Sequence, residues 1–250
     1  MHVRWSKAFL VLLWTQLFTL RTGWFWYLVM MSLQPLMLLL FIRFLMGPSN
    51  ESIAIYLITG NIVLSLSLSS MLSLGQDLGW LKDDHAFDYY ATLPISRSAL
   101  ILAIVTRSVM LALPSIAILL ILGTWLFNIS LNPHPLTLIV LLLGGYSLSG
   151  LGAIIGFYSP NGRISSLLTQ IIQPLIIFLS PVFVPLERLP KVLQLTSALI
   201  PTTYVAQALR DSLTGQVSFS TWISILVLVA ISLVSFVFVE KGLDWRGSQG

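Results

Sequence analysis

Of the 250 residues, 56% are hydrophobic and only 9% charged, whereas a soluble domain of this size carries roughly 25% charged residues. That balance excludes water as the main solvent and makes the net charge of +4 a statement about membrane orientation, not about nucleic acid. The absence of cysteine excludes disulfides, thiol nucleophiles and Cys-based metal sites.

The first segment, residues 1–23, is apolar but interrupted by Arg4, Lys7 and Arg21. Its uncharged run, Ala8 to Leu20, is shorter than the roughly 20 residues needed to cross a hydrocarbon core of about 30 Å. No small-residue cleavage site follows, so a signal peptide is disfavoured. The segment reads as an amphipathic interfacial helix, with Thr15, Thr19 and Thr22 widening its polar side.

Six apolar spans follow, at about 24–46, 53–74, 106–127, 136–157, 164–184 and 222–239. Backbone polar groups in hydrocarbon need partners within their own segment, so these spans are helices. A barrel would show alternating strands of about ten residues instead. The expected fold is one all-α integral membrane domain over residues 1–250. Trp24, Trp26 and Tyr27 belong at the headgroup level. Pro114 and Pro174 are expected to kink their helices.

Between the second and third spans lies a polar stretch, Gly75 to Ser98, in which Lys82, Asp83, Asp84, His85 and Asp88 crowd together. In so charge-poor a chain this reads as a cytosolic loop that receives force from a separate protein. Its bland alternative is a solvated connection. Between the fifth and sixth spans, Lys191–Ile200 and Thr202–Leu213 read as two short outer helices. Pro190 and Pro201 suit first helical positions there, and Gly215 suits a stop.

Orientation follows from basic residues. A cytosolic amino terminus puts Arg4, Lys7, Arg21, Lys82, Arg97, Arg107, Arg163, Lys241 and Arg246 inside, against Arg43, Arg188, Lys191 and Arg210 outside. Nine against four places both termini in the cytosol. Arg43 and Arg107 sit near span ends, where a long side chain snorkels to headgroups.

Candidate chemistry is sparse, with neither a catalytic nor a metal site expected. His2, His85 and His134 lack metal-ligand spacing. Ser147 and Ser149 have no histidine in another span to act as base, which leaves an intramembrane hydrolase the weakest reading. Gly145, Ser149, Gly152 and Gly156 instead suit close helix packing, within the chain or in a dimer. Ser65, Ser67, Ser69, Ser70 and Ser73 line a polar path or hydrogen-bond between helices. No G-x-x-x-x-G-K-[ST] loop occurs, so any ATP must be bound by another polypeptide.

Three segments together resemble the permease subunits of type-2 ATP-binding-cassette exporters. They are FDYYATLPISRSALILA (Phe87 to Ala103), GGYSLSGLGAIIG (Gly144 to Gly156) and SPVFVPLERLPKVLQLTSALIPTTYVAQALRDSL (Ser180 to Leu213). Two departures stand out: Ala103 and Ile104 replace the family's Gly-Lys, and its Gly-Thr-Leu-Glu is blurred into His85–Asp88. The resemblance implies a second permease copy or paralogue, and ATPase subunits that hold ATP and Mg²⁺. It implies that the amino-terminal helix and a coupling helix within Gly75–Ser98 touch the ATPase. Glu187, Pro201, Tyr204 and Arg210 would then belong to an outer gate. The implied cargo is a drug, lipid, glycolipid or polysaccharide, crossing the inner membrane of a prokaryote. Membrane lipids are partners and nucleic acid is not. The alternative is a membrane scaffold or assembly factor that transports nothing.

Overall fold

The computed structural model describes residues 5–19, 21, 23–46 and 50–242. Arg4 and Arg246 of the charge count, His2, Thr22 and part of the turn after the first span fall outside them. The described residues form helices joined by turns, with no strand. Five helices are long and apolar enough to cross a membrane.

The bundle is organised around one bent rod. Helix α3 (Glu51–Ser67) runs through a π-helical turn (Leu68–Ser73) into α4 (Leu74–Asp83), a continuous 33 residues. Its most apolar stretch is 78% buried, against 17% for α2 (Trp24–Met46). The helix of the second span therefore continues past Leu74, where the polar composition suggests an end. Gln76 and Asp77 continue the helix, and Gly75 and Gly79 are buried contacts.

Glycine allows this because other helices press on the rod. A methyl group on Gly75 would lie 2.6 Å from Thr169 Cγ2 and 2.9 Å from the Gly152 carbonyl oxygen. One on Gly79 would lie 2.6 Å from Ser165 Cβ. The contacts come from α7 (Leu136–Tyr158) and α8 (Gly162–Phe178). The π turn falls where Met71 meets Gly152 of α7 backbone to backbone, a crossing that no larger residue permits.

Helix α6 (Arg97–Phe127) packs on the other side of α3 and continues through Pro114 without a break. Ser65 Oγ donates to Ser115 Oγ at 2.9 Å, and Ser69 Oγ donates to the Ser108 carbonyl at 2.6 Å. Two of the five predicted serines thus bond across helices, while the buried Ser67 and Ser70 hydroxyls have no protein partner. Helix α1 (Trp5–Thr19) lies along α6 through Ala8 and Leu12. Its opposite side presents Leu10, Val11, Trp14 and Phe18, with Lys7 and Thr15 also exposed. Thr15 donates back to the Val11 carbonyl at 2.8 Å.

At the other end of the rod, α8 stops at Phe178 instead of reaching Val184, because Ser180–Val184 turn back. Two short helices follow, α9 (Lys191–Ser197) and α10 (Pro201–Leu213). Pro201 occupies the first turn of α10 and Gly215 follows it at φ +71°; Pro190 caps α9 from outside. Helix α11 (Phe219–Gly242) then packs along α7 and α10.

Candidate functional site

The charged cluster forms an elbow at the end of α4. Lys82 Nζ donates to the Ser159 carbonyl at 3.0 Å and to the Phe157 carbonyl at 3.4 Å. Those carbonyls close α7, where the helix dipole favours a cation. The neighbouring Asp83 accepts from the Gly162 amide at 2.7 Å, at the start of α8, where the dipole favours an anion. Successive residues of opposite charge thus fasten both sides of the α7–α8 turn to α4. Gly162 must be small, since a methyl group there would meet the Trp80 ring at 2.9 Å.

Beyond this fastening the chain turns outward. Asp84 caps α4 and is exposed. His85 takes φ 54°, the left-handed conformation that reverses the chain into α5 (Ala86–Thr92). Its Nδ1 lies 3.1 Å from Asp88 Oδ2, but both side chains are more than half exposed, which makes the pair a weak one. No residue of α5 is buried. It is held by Phe87, whose ring packs 5.4 Å from that of Phe157, and by the partly buried Tyr90. Tyr89 is exposed. Ser96 then caps α6 by accepting from the Ala99 amide at 3.3 Å, and Trp5 Nε1 donates to Ser98 Oγ at 3.1 Å.

A second ion pair is enclosed between helices. Arg107 Nη2 donates to Asp77 Oδ2 at 2.5 Å, and Nη1 donates to Gln16 Oε1 at 3.0 Å. Arg107 does not reach out to headgroups: its side chain is 15% exposed and its Nε is buried without a partner. It ties α4, α6 and α1 together just above the elbow. A lone acid and a lone arginine within otherwise uncharged helical stretches were the available signal; taking Gly75 as the start of a loop concealed it.

The predicted packing residues all face inward. A methyl group on Gly156 would lie 2.7 Å from Leu78 Cβ, and one on Gly145 would lie 2.8 Å from Val109 Cγ1. Ser149 is fully buried. With Gly152 against Met71, these four positions serve contacts inside the chain and leave no surface for a second copy.

At the opposite end, Glu187 and Arg210 of the predicted gate line one cavity, and Pro201 and Tyr204 do not. Pro201 is buried, and Tyr204 donates to the Ala198 carbonyl at 2.7 Å. Arg210 donates to the carbonyls of Val182 and Pro181, each at 3.2 Å, with its guanidinium 4.2 Å from the Tyr56 ring centre. Burial draws its pKa below the usual arginine value, opposed by Tyr56, Asp211 and Glu187. Glu187 is exposed in the turn Leu186–Arg188. Among the described residues, no three His, Asp or Glu side chains stand together as metal ligands.

This is a rod of helices with an exposed charged elbow at one end and a folded-back helix pair at the other. The family model described as ABC-2 type transporter matches residues 7–214. The chain belongs to that family. No curated protein matches it. Family membership and the five apolar helices make it a multi-pass membrane protein with a transport permease role. In this family the permease typically pairs with ATPase subunits.

Proposed function

We propose that this ABC-2 permease works as a dimer in an ATP-driven exporter, with ATP and Mg²⁺ held by separate ATPase subunits. The supporting observation is the elbow. Helix α5 and the turn before it offer an unburied surface of Asp84, Asp88 and Tyr89, while α4 is fastened to α7 and α8 directly and to α6 and α1 through Arg107. A push on α5 is therefore delivered to four helices at once, as a rigid-body shift.

In this reading α8 is the fifth of six spans, added to the five longer helices. Its 17 residues reach about 25 Å at 1.5 Å each, and the Ser180–Pro185 turn with α10 fills the remaining depth. The excess of basic residues supports a cytosolic elbow and cytosolic termini in the inner membrane of a prokaryote. The cargo is a drug, lipid, glycolipid or polysaccharide.

Purification of the tagged full chain from its native membrane in a mild detergent tests the assembly. A stoichiometric ATPase chain is the expected result. A stable complex with no nucleotide-binding chain would support the scaffold reading instead.

A further inference from the structure

A slot runs along the elbow half of the bundle between α6, α7 and α11. Helices α6 and α11 both pack on α7 and barely touch each other. The space between them, about 410 Å³, is lined by Val105 of α6, Leu143 and Ala153 of α7, and Val229, Leu233 and Val239 of α11. Val105, Ala153 and Val239 are buried and form its floor, while Leu233, 62% exposed, stands on its rim. Trp5 of α1 lines the elbow end, next to the start of α6.

Its length matches one leaflet of a bilayer. Leu143 to Ala153 and Val229 to Val239 each rise roughly 15 Å at 1.5 Å per residue. The slot begins one residue before Glu240 and Lys241, the only charged residues on α11, which mark the membrane surface there. It therefore ends near the midplane of a hydrocarbon core about 30 Å thick.

Its chemistry admits only hydrocarbon. Three lining side chains carry a polar atom, and each is already bonded. Trp5 Nε1 donates to Ser98 Oγ at 3.1 Å, Tyr146 Oη lies 2.9 Å from Thr106 Oγ1, and Ser232 Oγ donates to the Leu228 carbonyl at 2.8 Å. No wall group is left to hold water or a charge, and cavities of that kind stay dry. A helix from a second copy is too wide: at roughly 10 Å across it would take about 1,200 Å³ over the same length.

We infer that the slot holds one acyl chain of a bilayer phospholipid from the elbow-side leaflet, with the headgroup at the level of Trp5 and Ser98 and the methyl end at Leu143 and Val229. The chain stays in hydrocarbon when it enters, so close packing on the walls holds it, not the hydrophobic effect. Bound there, it bridges α1 and α11. It is a resident lipid and not cargo, and the inference does not rest on the transport reading.

Photolabelling of the full chain in phosphatidylcholine vesicles tests it. Two phosphatidylcholine probes carry a diazirine on one palmitoyl chain, near the ester in one and at the methyl end in the other. The ester-side probe is expected on Trp5 and Ile101 and the methyl-end probe on Leu143 and Val229, each at least about fivefold above the exposed faces of α2 and α8, the equivalent of about 1 kcal/mol. Val105→Phe from the floor and Leu233→Trp from the rim should each cut the methyl-end labelling about fivefold by filling the slot. Val234→Trp, at an exposed position on the opposite side of α11, should leave it unchanged. Labelling spread evenly over α2, α8 and α11 would mean bulk bilayer contact only and overturns the proposal. So does undiminished labelling in both slot variants. The chain has no cysteine, so Leu233→Cys introduces a single thiol. A disulfide-linked dimer through it would put a second copy over the slot, which also overturns the proposal.

Discussion

Helices α5 and α10 are both short, both lie next to charged residues, and neither can cross a membrane, yet the fold treats them oppositely. None of the seven residues of α5 is buried, whereas nine of the thirteen in α10 are. Helix α10 is wedged against α3, α7 and α11, and Val205 fills the space left by Gly144. Even its end is bonded, with the Ser212 and Leu213 carbonyls accepting from the amides of His134 and Asn132 at 2.8 and 3.0 Å. Helix α5 touches the bundle only partly, through Phe87 and Tyr90. Polar sequence therefore has two uses in this chain. In α10, hydrogen bonds inside the protein absorb it; in α5 it is left on the surface, where a second protein can use it.

The comparison breaks most readily at Arg210. Arg210→Met removes both donors to the Ser180–Val184 turn and leaves two carbonyls unpaired, at an expected cost of about 3 kcal/mol. The apparent melting midpoint in detergent should fall clearly. An unchanged midpoint would mean that α10 is not part of the rigid body.

A smaller effect is expected where the elbow joins the bundle. Asp77→Asn should destabilise by roughly 2 kcal/mol, less than the roughly 3–5 kcal/mol for breaking a fully buried pair, because the Asp77 side chain is 32% exposed. The double variant Asp77→Asn/Arg107→Gln should recover part of that loss, since no charge is then left unpaired. Additive losses in the double-mutant cycle would show that the two residues do not act together.

How much of this was legible depended on the kind of signal. The helix starts and stops of α10 were written in Pro201 and Gly215, because those residues fix backbone geometry locally. The gross alternation of apolar spans was legible for the same reason: the bilayer requirement is local to each segment. The end of the second span's helix was not. Gly75 and Gly79 carry the composition of a loop, but they are in a helix because Thr169 and Ser165, some 90 residues away in sequence, press against them. Arg107 misled similarly, since its partner Asp77 lay in what reads as a polar connection. Of the charged cluster, the sequence showed its concentration but not the division of labour within it. Lys82 and Asp83 are hydrogen-bonded to the α7–α8 turn, and what faces outward begins at Asp84.

That division yields the smallest effect on stability and the sharpest one on function. Asp84 and Asp88 are exposed, and the His85–Asp88 contact is a surface pair, worth about 0–1 kcal/mol at most. Asp84→Lys/Asp88→Lys should therefore leave the melting midpoint and membrane insertion close to those of the unchanged chain. Charge reversal on a docking surface is a different matter, because like-charge contacts across an interface cost several kcal/mol, and about 1.4 kcal/mol is already tenfold in affinity. Co-purification of the ATPase and cargo-dependent ATP hydrolysis should thus fall at least about tenfold in the double variant. Asp83→Asn is the control that separates the two roles. It weakens the grip on the Gly162 amide and should lower the midpoint by the equivalent of about 1 kcal/mol while ATPase binding persists. If Asp83→Asn abolished ATPase binding and the double reversal did not, the surface that receives force would lie at the α7–α8 turn and not on α5.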